Sequence, residues 1–535
     1  MSFALESRNH SPRTCSLACN SCGNRPRPLP FVGDMQDEYQ VRLGKMETLR
    51  KKGVLPYPSV CERDTFISDA VEQFDTWSAA GRKITLAGRL LLIRVHGKMI
   101  FADLRDATGT IQLQFTVDRQ GEDVFEEFEK NIDPGDFLQA TGTLFLTKKG
   151  QKTLAVSEWK LLTKTLRPLP EKWHGLKDVE IRYRERELDL LANEDVLRVF
   201  RTRTALVRTL RDILDREGFE EIETPVLQPI AGGATARPFV THHHALDHDF
   251  YLRIAPELYL KRCIVGGFEK VYELGRQFRN EGIDWSHNPE FTSLEFYWAY
   301  QDYESLMNFT ERFLPEAVKT VLGTTSIRFQ GEDIHFSAPW PRIPFAEAIK
   351  RSCGIDILGI EKEALIRRMQ ELRIDCDYAG ADLGKLYDEL YKETVRKKQI
   401  QPIFITRYPI EMEPLAKRCD DDPRFVQRFQ LIAGGLELLK AYTELNDPID
   451  QRSRFLAQQE LAEAGDDEAQ RIDEQFLKAL EHGMPPTAGW GMGIDRFVMM
   501  LTDQKSMKDV ILFPTLKPRE SSADGENEGM AKSSE

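Results

Sequence analysis

Two segments carry arginines where a guanidinium fork could hold an anion. One is Gly266-Gly-Phe-Glu-Lys-Val-Tyr-Glu-Leu-Gly-Arg-Gln-Phe-Arg-Asn-Glu281, which sets Arg279 two residues before Glu281 and is followed by His287-Asn-Pro-Glu-Phe291. The other is Gly489-Trp-Gly-Met-Gly-Ile-Asp-Arg-Phe497, where Gly489, Gly491 and Gly493 alternate ahead of Arg496. A planar guanidinium matches phosphate and carboxylate oxygens better than an ammonium does. Glycines at alternate strand positions let a ligand approach the backbone closely. Read blandly, Arg279 and Glu281 form a surface ion pair and the glycines mark a bulge. Carboxylates make a second pattern. If Thr292–Trp298 is a strand, Glu295 and Tyr297 share one face while Leu294, Phe296 and Trp298 share the other. If Lys440-Ala-Tyr-Thr-Glu444 is also a strand, Lys440, Tyr442 and Glu444 share a face.

The elements that must position these residues are legible in outline. With 535 residues the chain is too long for one ordinary core, so two or more domains are expected. Residues 1–34 read as a disordered leader and 35–81 as a helical segment, with Tyr39, Leu43, Met46 and Leu49 at helical spacing and a basic flank that includes Arg42 and Lys45. Over residues 82–166 the period changes to two. Ile111, Leu113, Phe115 and Val117 alternate with Gln112, Gln114 and Thr116, and further short strands are expected at 84–94, 98–103, 137–147 and 153–162. Five short strands with glycine-containing turns fit an OB-fold barrel. A linker at 167–192, with Pro168 and Pro170, precedes a helix that Asn193 can cap and Gly218 can stop. Strands and helices then alternate irregularly over 193–517, as in an α+β domain, with a helical insertion at 355–400 and a polar, disordered tail at 518–535.

In this order, behind an OB-like module, the segments resemble motifs 2 and 3 of the class II aminoacyl-tRNA synthetases, with Glu223-Thr-Pro225 in the place of motif 1. The resemblance is to the lysine-specific branch and runs from about Asp37 to Pro518. It implies an N-terminal OB-fold barrel that binds an anticodon, followed by a catalytic domain with an antiparallel sheet flanked by helices. It implies activation of L-lysine by ATP, transfer of the lysyl group to tRNA(Lys), Mg²⁺ as cofactor and a homodimer. Arg279 would hold the α-phosphate and the amino-acid carboxylate, Arg496 the γ-phosphate, and Glu281, His287, Asn288 and Phe291 the adenine end. Glu444 and Tyr297 would grip the substrate's side-chain ammonium, and Glu257, with the backbone at Gly233, its α-ammonium. Glu295 and Tyr442 complete the lysine pocket. In the barrel, Phe101 matches the aromatic on which an anticodon base stacks, with Arg94, Gln112 and Gln114 as base-edge readers. The bland reading of Phe101 is a core side chain.

Two positions depart from the family. Its metal carboxylates sit seven residues apart and correspond here to Gln430 and Glu437, so only Glu437 keeps its charge and the number of Mg²⁺ ions is open. Lys440 stands where asparagine is expected, a cation beside a pocket for a cation, unless Glu437 or a phosphate neutralises it. Strict alternation also sets Glu437 opposite Glu444, so both can line one site only across a bulge. Two other readings remain: a paralogue that lysylates a protein, which the barrel speaks against, and an inactive RNA-binding scaffold, which Gln430 and Lys440 favour.

The formal charge of −13 does not exclude nucleic acid, because phosphates respond to local basic surface. No run approaches the ~20 apolar residues of a membrane span, and five of the eight cysteines are scattered singly, as in a reducing cytoplasm. Cys15, Cys19 and Cys22 have a spacing that could hold a metal, but no complementary ligands follow, so the segment reads as leader or as an organellar transit peptide. His242, His243, His244 and His248, with Asp247 and Asp249, have poor ligand geometry for a strand and read as structural.

Overall fold

The structure is a computed structural model that describes residues 32–169, 176–378, 380–463 and 471–518. The leader with its three cysteines and the tail lie outside the described residues except for 32–34 and 518. The chain divides into two compact units, residues 1–171 and 172–535.

In the first unit helix α1 (Val32–Lys51) precedes a closed barrel of five strands: β1 (Lys83–His96), β2 (Met99–Arg105), β3 (Thr110–Thr116), β4 (Phe137–Leu146) and β5 (Lys152–Thr163). Their order is β1-β2-β3-β5-β4, with β3 and β5 parallel and the rest antiparallel. The alternation read from sequence is the alternation observed. Ile100, Ala102 and Leu104 of β2 and Ile111, Leu113 and Phe115 of β3 fill the barrel, while the residues between them are only half-buried. The basic flank of α1 divides: Arg50 and Lys51 are exposed, as on a solvated face, whereas Arg42 and Lys45 turn inward. Arg42 is buried against Glu38 and the Pro134 carbonyl, and Lys45 reaches Asp133 at 2.6 Å.

The second unit is built on an eight-stranded sheet: β6 (Glu220–Glu221), β7 (Lys270–Phe278), β8 (Glu290–Ala299), β9 (Arg342–Pro344), β10 (Ile403–Pro409), β11 (Phe425–Ala433), β12 (Leu436–Thr443) and β13 (Thr487–Gly493). The order is β9-β10-β11-β12-β13-β8-β7-β6. The six central strands are antiparallel as expected, but the short edge strands β9 and β6 pair parallel, so the sheet is mixed. One face is apolar. Leu294, Phe296, Trp490 and Met492 pack against helices α2 (Glu194–Arg216), α4 (Tyr303–Leu322) and α7 (Ile494–Leu501), with Phe296 stacked on Trp490 at 4.9 Å. The opposite face carries the polar side chains, and α3 (Glu257–Val265) adjoins it.

Two local readings need adjustment. Asn193 occupies the N-cap of α2, but its amide donates to Asp189 instead of accepting from the helix. Residues 179–192, within the span read as linker, form two short helices in which Arg186 is buried against Asp189 and the Leu512 carbonyl. The insertion holds α5 (Lys362–Glu371) and α6 (Leu383–Thr394).

Candidate active site

The polar face of the sheet floors a cavity of about 530 Å³. Three neighbouring strands set it. Across β8, β13 and β12, Glu295 pairs with Gly491 and Gly491 with Lys440; one step along, Tyr297 pairs with Gly489 and Gly489 with Tyr442. The glycines make two shallow rows between acidic and phenolic walls. They are not equivalent. A Cβ on Gly491 would meet nothing closer than Glu295 Cγ at 3.4 Å, whereas one on Gly489 would fall 1.9 Å from Glu444 Oε1. Gly491 leaves room for a ligand; Gly489 is required by the protein's own carboxylate.

At the cationic end stand the motif arginines. Arg279 and Arg496 both line the cavity, and the Nε of each is buried without a hydrogen-bond partner among the described residues. Arg279 lies over the Phe291 ring at 5.0 Å, and Arg496 donates to the Glu437 carbonyl at 2.9 Å. No ion pair joins Arg279 to Glu281 among the described residues; Glu281 lines the cavity with His287 and Asn288, whose Oδ1 also lacks a partner. His287 is held by Asp284 at 2.8 Å.

At the acidic end Glu257 and Tyr442 are each 3% exposed, and the Tyr442 hydroxyl donates to the Glu257 carboxylate, 2.8 Å from both oxygens. Gly233 adopts φ +86°, with no room for more than hydrogen beside the Glu257 Cβ, and lines the same wall. Glu295 faces the cavity with Tyr297, whose hydroxyl lies 3.4 Å from it. Burial and the nearby Glu257 push the Glu295 carboxyl up to about 7, with Lys440 and Arg279 opposing. Glu444 is set back from the cavity wall, behind Gly489 and beside Tyr297. Sequence reading missed Lys261, fully buried, which pairs with Glu444 and with Glu257 at 2.6 Å. Its signal was available: Glu257 and Lys261 are four apart, the spacing of an ion pair along a helix.

The bulge that strict alternation required is present. Leu431 pairs with Leu439 but Ile432 with Glu437, so one extra residue, Leu438, turns Glu437 onto the face of Lys440 and Tyr442. Gln430 then fills the place of a second carboxylate. Its Nε2 donates to Glu437 Oε2 at 2.9 Å, and its Oε1 accepts from Tyr408 at 2.7 Å. With Gln430 neutral and its Oε1 engaged by Tyr408, these two residues offer a divalent ion one carboxylate instead of two. Lys440 finds its counter-charge in Glu413, 3.7 Å away, and not in Glu437; the buried Glu413 also holds Arg428 at 3.4 Å. The insertion contributes as well, since Asp388 of α6 and Arg396 line the cavity.

In the barrel the base-reading candidates lie in register on the outer surface. Arg94 of β1 pairs with Phe101 of β2, and Phe101 with Gln114 of β3. Phe101 is half-buried on the face opposite the core, so the core reading does not hold for it. Gln112 accepts from Thr153 at 3.0 Å, and Arg94 pairs with Asp103 at 2.9 Å, which occupies one fork of that guanidinium. The four histidines are exposed on or beside a hairpin of Val240–His243 and His248–Leu252, where His242 is 2.8 Å from Asp249.

Comparison with known proteins agrees with this division. Residues 178–517 match the family described as tRNA synthetases class II (D, K and N), and residues 84–162 match the OB-fold nucleic acid binding domain. The chain is 48% identical over 489 residues to a protein of Pelotomaculum thermopropionicum, covering 91% of this chain and 96% of that one. It is 49% identical over 485 residues to one of Moorella thermoacetica, covering 90% and 98%, and 48% identical over 492 residues to one of Chloroflexus aurantiacus, covering 91% and 99%. All three relatives bear the name lysine--tRNA ligase.

Proposed function

The chain belongs to the lysine–tRNA ligases of the class II aminoacyl-tRNA synthetases, and from that premise we propose how its residues divide the work. Lysine lies with its α-ammonium at Glu257 and its side-chain ammonium toward Glu444 and Tyr297. ATP lies along Arg279 and Arg496, with the adenine end at Glu281, His287, Asn288 and Phe291. The lysine carboxylate attacks the α-phosphorus, the bond to the β-phosphate oxygen breaks, and pyrophosphate leaves. The nucleophile is already ionised, so the first step needs no general base. It needs positioning and neutralisation of phosphate charge. A terminal ribose hydroxyl of tRNA then takes the lysyl group from the adenylate and AMP leaves, while the anticodon is held on the Arg94–Phe101–Gln114 strip.

The observation that carries this reading is the polarity of one cavity: buried carboxylates at one end, and two arginines with unpartnered Nε atoms at the other. Mg²⁺ belongs to it as the counter-ion of ATP, and a homodimer in the cytoplasm is part of the same proposal. No helix among the described residues is long and apolar enough to cross a membrane. Exchange of labelled pyrophosphate into ATP, run with each amino acid in turn, tests the reading. Exchange that depends on lysine alone is expected, and exchange with another amino acid, or none, would overturn it. Sedimentation of the purified chain tests the dimer.

A further inference from the structure

The side chain that the mechanism leaves unused is the most enclosed charge beside the site. Lys261 of α3 is fully buried and does not reach the cavity; its ammonium lies between Glu257, at 2.6 Å, and Glu444, and packs over the rings of Tyr442 and Phe476 at 5.7 and 5.9 Å. Glu257 comes from the same helix and Glu444 from the end of β12, so one ammonium ties together the two carboxylates assigned to the two ends of the substrate. Glu444 Oε1 remains buried with no donor among the described residues, beside the cavity and waiting for one.

We propose that Lys261 is a positioning residue that fixes both the spacing of Glu257 and Glu444 and the net charge of the acidic end. Above about pH 7, where Glu295 is ionised, and with Glu413 set against Lys440, Glu257, Glu295 and Glu444 bring three negative charges and Lys261 one positive, which leaves two: the match for an amino acid with two ammonium groups, and a mismatch for one with a single ammonium. Buried charges without partners are costly, so an acidic end lacking Lys261 would take up a proton and lose that match. The groups facing Glu444 are Lys261 and Glu257 from α3, Tyr297 from β8, Tyr442 from β12 and Glu413 from the loop after β10. Burial first, then Glu257 and Glu413, hold its carboxyl well above the ordinary carboxylate range in the empty site, and the Lys261 ammonium limits that rise. The inference rests on the lysine reading above and makes its selectivity a matter of charge counting.

The test compares Lys261→Gln, which keeps a donor without charge, and Lys261→Arg, which keeps the charge, in pyrophosphate exchange. For the Gln variant the lysine KM should rise at least about tenfold at pH 7 and recover toward pH 8.5 as the carboxylates ionise, with the ATP KM within about twofold of the parent. The Arg variant should keep the parent's pH profile. A Gln variant with the parent's lysine KM and profile, or one that loses lysine and ATP affinity together, overturns the proposal. Should the substituted chains not fold, calorimetry of the unaltered protein in buffers of different ionisation enthalpy decides. Lysine binding at pH 8 should release no net proton, and release near one proton would show that Lys261 does not keep Glu444 charged. An unaltered protein without lysine-dependent exchange would sink the functional reading itself, a result distinct from all of these.

Discussion

The Tyr442 hydroxyl lies 2.8 Å from both oxygens of Glu257, whose carboxylate also holds Lys261. Tyr442 therefore spends its only proton on orienting the carboxylate proposed to receive the substrate's α-ammonium. Tyr442→Phe removes that donor and leaves the ring in place. A hydrogen bond to a charged acceptor contributes about 1.5–3 kcal/mol, so the lysine KM should rise about ten- to 150-fold while the ATP KM stays put. Equal changes in both constants would show that Tyr442 supports the sheet and not the lysine pocket.

Glu295 gives lysine recognition a pH dependence of known sign. Its carboxyl is pushed up to about 7 in the empty site, chiefly by burial. Below that value it carries a proton and attracts the substrate's ammonium groups poorly. The lysine KM should therefore fall as pH rises from about 6 to 8, by no more than about tenfold per unit, and level off above. Glu295→Gln should abolish the slope. A lysine KM flat over this range would mean that the substrate does not meet Glu295.

By its resemblance to the family, Gln430 stands where a second metal carboxylate is expected, and its amide donates to Glu437. Gln430→Glu replaces that donor by a charge and presents two carboxylates to an ion. Titration of Mn²⁺ by electron paramagnetic resonance, with a non-hydrolysable ATP analogue and lysine bound, should find one more ion per site in the variant than in the parent. An unchanged count would show that the parent holds its full complement of ions despite Gln430.

The role proposed for Phe101 bears on tRNA charging and not on adenylate formation. Phe101 lies on the outer barrel surface, between Arg94 and Gln114. Stacking of one base contributes about 1–3 kcal/mol, so Phe101→Ala should lower tRNA charging about five- to a hundredfold and leave pyrophosphate exchange intact. Because Ile100 and Ala102, not Phe101, face the core, the melting temperature should hold. Normal charging would remove Phe101 from the anticodon platform.

Periodicity made much of this architecture legible. The two-residue period of β2 and β3 told inward from outward side chains correctly, and the period of β8 and β12 put Glu295 with Tyr297 and Lys440 with Tyr442. What periodicity cannot carry is an interruption of itself. The extra residue at Leu438, which brings Glu437 to the site, leaves no trace in composition because both Leu438 and Leu439 are apolar and buried. Partners brought from distant segments were equally hidden. Glu413 meets Lys440 from a loop, and Asp388 and Arg396 reach the cavity from a segment whose sequence reads only as a helical insertion. Lys261 stood in plain spacing from Glu257, but only folding reveals that Glu444 shares it.

In the proposed division of work, lysine selection rests on Glu444, set behind Gly489 at the acidic end. The most direct measurement is pyrophosphate exchange by Glu444→Gln, with lysine and ATP each varied. The change keeps the shape and removes the counter-charge of a buried ammonium, a loss of about 2–5 kcal/mol. Expected are a lysine KM raised at least about thirtyfold, an ATP KM within about twofold of the parent, and a folded variant by its melting curve. A folded variant with the parent's lysine KM and kcat would contradict it.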